Sequence, residues 1–221
     1  MGWGWVLKHL TFIATLCTPI ILRGYLTFDS LLAALLFDRL GDPEKAHAQI
    51  PIKQIDGLFN ASAAVFEPSK QRPVNLAGSL RARHDLPDSL LKKNRAGTAV
   101  HHTISEKRRR DYGNVFSSYT AFEVKTVTWH CVGDYEAIAD LLRDADFIGK
   151  KRTAGFGQVA AWDWSESEGD GLTTADGKPM RPIPFDMFEG DRSLPVQDAA
   201  WKPAYWDPAN RAPCFAPPLA A

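Results

Sequence analysis

Apolar and polar residues alternate from the start of the chain: Leu10, Phe12, Ala14 and Leu16 fall on one side, His9, Thr11, Ile13 and Thr15 on the other. A period of two with one apolar face predicts a strand, read here as a buried edge strand of a soluble protein. Thr27-Phe28-Asp29-Ser30 then offers N-cap chemistry before Leu31-Leu32-Ala33-Ala34-Leu35-Leu36. Leu32, Leu35, Leu36 and Leu40 recur at helical spacing, and Gly41-Asp42-Pro43 supplies the stop. Phe59 to Phe66 predicts a second strand, weakened by its small residues and closed by Glu67-Pro68. The β-branched and aromatic run from Tyr119 to Val132 predicts a third. Gly133-Asp134 opens a second helix with Ile138, Leu141, Leu142 and Ala145 as its apolar stripe. Asp134 and Glu136 sit at its start, where the helix dipole favours negative charge. Gln158 to Trp164 reads as the last strand.

Between the second and third strands lies residues 67–118, where the pattern breaks down. With that stretch set aside as an insertion, the order is β-α-β followed by β-α-β. The expectation is an α+β fold: a ferredoxin-like (RRM-like) βαββαβ domain over residues 1–164. Residues 165–221 hold nine of the fifteen prolines. They are expected to form an extended tail, docked on the domain or on a partner through Trp201, Tyr205 and Trp206, because a free tail rarely keeps aromatics.

Composition narrows the class. With 221 residues, 45% apolar and 24% charged, the chain is ordinary globular protein and not a disordered one. Twenty-six basic residues balance twenty-six acids, which excludes a uniformly basic protein but not a local basic surface. That surface is visible in residues 67–118, where eleven lysines and arginines face five acids. The three cysteines, Cys17, Cys131 and Cys214, form no CxxC pair, so a zinc knuckle or disulfide scaffold is excluded and a reducing cytoplasm is expected. The N-terminal apolar run carries Trp3 and Trp5 where a signal peptide carries basic residues, and Thr18-Pro19 interrupts it. It is also shorter than the roughly 18–20 residues of a membrane span. Secretion is the alternative to a cytoplasmic protein with no membrane partner.

The segment that carries most information is Gly149-Lys150-Lys151-Arg152-Thr153-Ala154-Gly155-Phe156-Gly157. It lacks the Lys-Ser/Thr that a phosphate-binding P-loop requires. It also leaves a helix and enters a strand, the reverse of a dinucleotide fingerprint. Its three glycines permit positive φ and close backbone approach, its three cations are consecutive, and Phe156 lies between two glycines. Charge, close approach and an aromatic plane together suit single-stranded RNA. The plainer alternative is a tight helix-to-strand turn with solvated lysines.

A basic glycine loop at this place, of pattern G-x-x-R-x-x-G-F-G, resembles the RAMP superfamily of CRISPR-associated proteins. Leu26-Thr27-Phe28-Asp29-Ser30-Leu31-Leu32-Ala33, leading into the first helix, is similar to the opening of the handle-binding (Cas-five) subunit of type IV effectors. The resemblance covers roughly residues 7 to 164 and implies a subunit that caps the 5′ handle of the CRISPR RNA. It further implies neighbours in the complex, namely the backbone subunit and the large subunit, with target DNA met through the assembly. Gly149, Lys150, Lys151, Arg152, Gly155, Phe156 and Gly157 become RNA contacts on this reading. Residues 67–118 take the place of the thumb found in such proteins.

Within that insertion Lys107-Arg108-Arg109-Arg110 precedes Asp111-Tyr112, a set suited to phosphate contacts with one stacked base. Arg81, Arg83, Lys92, Lys93 and Arg95 extend the patch; a solvated charge run is the alternative. His101 and His102 raise the rival function, a metal-independent endoribonuclease that processes precursor RNA by 2′-hydroxyl attack. Adjacent histidines on an extended chain point to opposite faces, however, so they are assigned to RNA binding. His130, beside Trp129, reads as a hydrogen-bonded core residue. The expectation is a binding protein with no catalytic residues, no cofactor and no metal.

Overall fold

The computed structural model describes residues 6–78, 95–97 and 115–218. In chain order its elements are β1 (Leu7–Leu16), β2 (Ile20–Ile21), α1 (Phe28–Leu40), α2 (Pro43–Ala48), β3 (Gln54–Ile55), β4 (Leu58–Phe59), β5 (Lys70–Gly78) and β6 (Val115–Glu123). After these come β7 (Thr126–Asp134), α3 (Tyr135–Leu142), β8 (Val159–Glu166), β9 (Ile183–Pro184), β10 (Val196–Ala200) and β11 (Arg211–Phe215). The chain divides into two compact units, Met1–Gln71 with Phe122–Ala221, and Arg72–Ala121.

In the first unit β1 lies between β7 and β8, antiparallel to both. Register follows the alternation in sequence: Leu10 faces Cys131, Phe12 faces Trp129 and Ala14 faces Val127. All six are buried, so a one-residue slip would turn the whole set to the other side of the sheet. The expectation of an edge position for β1 is corrected here. Alternation reports that one face is buried; it carries no information on how many neighbours a strand has. Residues 60–65 complete the sheet irregularly on the far side of β7, through antiparallel bridges Ala61 to Cys131 and Val65 to Thr128. The resulting order is β8, β1, β7, then 60–65, with every neighbouring pair antiparallel. That is the connectivity of a split β-α-β domain, and the fold is α+β.

Helices cover the buried face. α1 starts after Thr27 and ends at Gly41, whose left-handed backbone (φ +66) lets its N–H return to Phe37 O at 2.8 Å. α3 is capped by Asp134, which accepts the Ala137 N–H at 3.0 Å, and it buries Ile138, Leu141 and Leu142. Between sheet and helices runs an aromatic chain. Phe12 and Phe28 have ring centroids 5.1 Å apart, Phe28 and Trp129 5.6 Å, and Trp129 and Trp162 5.8 Å. Trp129 satisfies its buried Nε1–H on Leu26 O at 3.0 Å.

Where an extended tail was expected, the chain forms a three-stranded antiparallel sheet of order β10, β11, β9. Ile183, Phe188 and Phe215, together with Leu58 from β4, make a second small core. In the second unit β5 and β6 are hydrogen-bonded neighbours. No helix among the described residues is long and apolar enough to cross a membrane.

Candidate functional site

The glycine loop leaves α3 through Ile148, which is fully buried, and returns to β8. Its base is closed by hydrogen bonds between Ile148 N–H and Gly157 O (2.8 Å) and between Val159 N–H and Asp146 O (2.9 Å). Its sides are tied to the corner between β1 and β2. Lys150 N–H donates to Ile21 O (2.8 Å), Gly157 N–H to Pro19 O (2.9 Å), and Gln158 N–H to Thr18 Oγ1 (2.9 Å). The Thr18-Pro19-Ile20 corner and the loop are therefore one structural feature.

Each glycine has its own reason to be there. Gly149 (φ +81) and Gly157 (φ +74) are pressed against the scaffold. A Cβ on Gly149 would stand 2.7 Å from Ile21 O, and one on Gly157 1.9 Å from Ile148 O. Gly155 (φ +84) meets nothing within 4 Å, so only its backbone angle asks for glycine. Between these points Lys151 adopts the left-handed region (φ 61), unusual for a residue with a side chain, and Arg152–Ala154 make one 3₁₀ turn.

This turn puts Lys150, Lys151, Arg152 and Gly155 on the surface, with Phe156 half-buried behind them and Gly157 buried. Lys150 and Arg152 have no ion-pair partner among the described residues. Two unpaired cations and an open backbone at Gly155 form a rigid, positively charged ridge on which an anionic chain can lie. The remaining sequence-derived contacts, Arg81, Arg83, His101, His102, Lys107, Arg108, Arg109, Arg110 and Tyr112, lie outside the described residues, as do Lys92 and Lys93.

His130 accepts or donates through Nδ1 to Thr11 Oγ1 at 2.9 Å, on the sheet face away from the helices. Burial lowers its pKa from the ordinary histidine value of 6.5.

Sequence reasoning missed a buried polar cluster. Arg181 is fully buried and donates from Nη1 to Asp29 Oδ1 (3.1 Å), Phe59 O (2.7 Å) and Ala61 O (3.1 Å). Its Nη2 donates to Trp201 O (2.7 Å) and Tyr205 Oη (2.8 Å), and the Tyr205 hydroxyl donates in turn to Asp29 Oδ2. Burial opposes the charge on Arg181, but Asp29 and Tyr205 outweigh it and hold the guanidinium pKa above its usual value. Burial raises the Tyr205 phenol as well. Asp29, part of the helix opening singled out in the sequence, is thus committed to joining α1 to the C-terminal sheet. The signal was present in Met180-Arg181-Pro182, a single arginine beside a proline in a segment otherwise rich in acids.

Comparison with known proteins adds the last observation. Residues 59–217 match the family described as CRISPR type IV associated protein Csf3. That span takes in the glycine loop, Arg181 and the C-terminal sheet as well as residues 67–118. No curated protein matches the chain. Since the match covers well over half of its length, the chain belongs to the CRISPR type IV associated Csf3 family.

Proposed function

We propose that this chain is a non-catalytic, RNA-binding subunit of the type IV CRISPR complex, of the RAMP, Cas-five kind. It caps the 5′ handle of the CRISPR RNA and seats the backbone and large subunits, and the complex as a whole meets target DNA. The observation that supports the reading is the glycine loop: exposed Lys150 and Arg152 without ion pairs among the described residues, on a turn locked to Pro19 and Ile21 by backbone hydrogen bonds. The fixed backbone means that binding a phosphate orders only the two side chains and not the loop that carries them. The charge of residues 67–118 supports the same reading from sequence.

Replacing Lys150 and Arg152 together by alanine tests it. Exposed cations contribute little to stability, so circular dichroism and the melting temperature should stay as they are. RNA binding should weaken, and the slope of log K against log salt should flatten by about 0.7 per lost phosphate contact on a single strand, so about 1.4 for the pair. Sequencing the 5′ ends of RNA that co-purifies with the wild-type complex should return one common handle. An unchanged salt slope, or RNA with random ends, would remove the handle-capping role.

A further inference from the structure

Past Val159, whose N–H donates to Asp146 O, the outer edge of β8 is unpaired among the described residues: β1 holds its inner side, and no described strand lies beyond it. Ser167 N–H donates to His9 O, and the register pairs Thr11 with Ser165 and Ile13 with Asp163. In an antiparallel ladder the hydrogen-bonded residues alternate. Asp163 and Ser165 therefore bond inward to β1, while the N–H and C=O of Trp162 and Trp164 point outward. The side chains of these two tryptophans also line a groove of about 450 Å³ between β8 and α3, with Tyr135, Leu142 and Arg143 on its other wall. Trp164 lies against Tyr135, ring centroids 3.9 Å apart, yet remains 42% exposed. Aromatic area of this size beside unsatisfied main-chain groups is the combination used to add a strand from another chain.

Charge identifies the occupant. Asp163 lies between the tryptophans, on the opposite face of the strand by alternation, and has no ion pair among the described residues. Two more exposed acids, without ion pairs among the described residues, mark the ends of the edge: Asp146, whose carbonyl accepts from Val159, and Glu168, just past Glu166. Antiparallel pairing of β8 with β8 of a second copy about Asp163 would set acid against acid, which destabilises a cross-strand pair. An RNA backbone meets the same repulsion.

We propose that β8 is a protein-docking edge, which takes an extended basic segment of a neighbouring subunit as an added strand. Residues of that segment opposite Trp162 and Trp164 are apolar and enter the groove; the residue between them is a lysine or arginine facing Asp163. This deepens the reading of the chain as a complex subunit by giving its protein partner a surface, separate in its residues from the glycine loop.

The test is hydrogen exchange at single-amide resolution, on the wild-type chain alone and in the purified type IV assembly. The Trp162 and Trp164 amides are expected to slow by about tenfold or more on assembly, while Asp163 and Ser165, already bonded inward, change little. Asp163→Lys should weaken association with the protein subunits about tenfold and leave RNA binding by the isolated chain intact. The absence of slowing at Trp162 and Trp164 in an assembly that retains the chain overturns the proposal. So does slowing produced by guide RNA alone, or by raising the concentration of the isolated chain, because these assign the edge to RNA or to a second copy. Protection in an assembly without a common RNA handle upholds the docking edge and refutes the handle-capping role. Failure to assemble at all refutes both.

Discussion

At the scale of single residues, the three positive-φ glycines of the loop separate into two kinds. Gly157 and Gly149 are required by contact: Ile148 O and Ile21 O occupy the space a side chain would need. Gly155 is required by conformation alone, since open space surrounds it. Gly155→Ala should thus cost the strain of a left-handed alanine, about 1–2 kcal/mol, and leave the fold in place. Gly157→Ala adds a backbone collision at 1.9 Å and should cost clearly more, with the Ile148 to Gly157 closure lost. Urea unfolding of the two variants checks the order; equal losses would mean that the loop relaxes freely. The motif itself was legible in the sequence, because glycine spacing and charge are composition. Which glycine touches the scaffold was not, since Pro19, Ile21 and Ile148 reach the loop only through the tertiary fold.

At the scale of elements, the sheet and helices were legible wherever periodicity and caps agreed. α1 runs from Thr27, whose side chain makes no capping bond, to Gly41; α3 starts at Asp134 and buries Ile138, Leu141 and Leu142, while the fourth expected stripe residue, Ala145, is buried just past its end. The second strand was poorly legible for a physical reason. Along residues 60–65 only Asn60, Ser62 and Val65 share backbone hydrogen bonds with β7; Ala63 and Ala64 donate instead to Met180 O and Leu26 O. Small residues suit a segment bonded on both sides, and they erase the strand signal. The turn that leads into it, Asp56-Gly57 between β3 and β4, has φ +50 and +89 and is the usual Asp-Gly hairpin sequence. On β7 the face away from the helices carries His130, and this makes the sheet sensitive to acid. Burial lowers its folded pKa below the unfolded value of 6.5, so the unfolded chain binds the proton first. Stability from this residue is intact above that value and falls as pH drops through 6.5 towards the folded pKa. Thermal melts between pH 7.5 and 5 should show a smaller acid-induced drop for His130→Asn than for wild type. Parallel curves would show that burial of His130 does not couple its protonation to folding.

At the scale of the whole molecule, Arg181 decides whether residues 165–221 are a tail or part of the fold. Prolines argued for extension, and they do shape the strands: Pro184 and Pro213 remove ladder donors, and β9 and β11 have only two and five residues. What sequence could not display is a guanidinium shared among α1, the 59–61 segment and the Trp201–Tyr205 turn, a contact spanning 152 residues from Asp29. Burying such a pair stabilises little in itself, but removing one partner strands the other without water. Arg181→Met should leave the buried Asp29 carboxyl without its cation, with the Tyr205 hydroxyl still donating to it, costing about 3–5 kcal/mol and lowering the melting temperature sharply. Arg181→Met combined with Asp29→Leu and Tyr205→Phe removes the charge and its partner together, and should recover much of that loss. Chemical unfolding of the single and triple variants distinguishes the two outcomes. If the single change is nearly neutral, the C-terminal sheet is held by its own small core and the cluster is incidental. If the triple variant is no better than the single, the carbonyls of Phe59, Ala61 and Trp201 depend on Arg181 for their hydrogen bonds, and the guanidinium is there to satisfy backbone as much as to pair with Asp29.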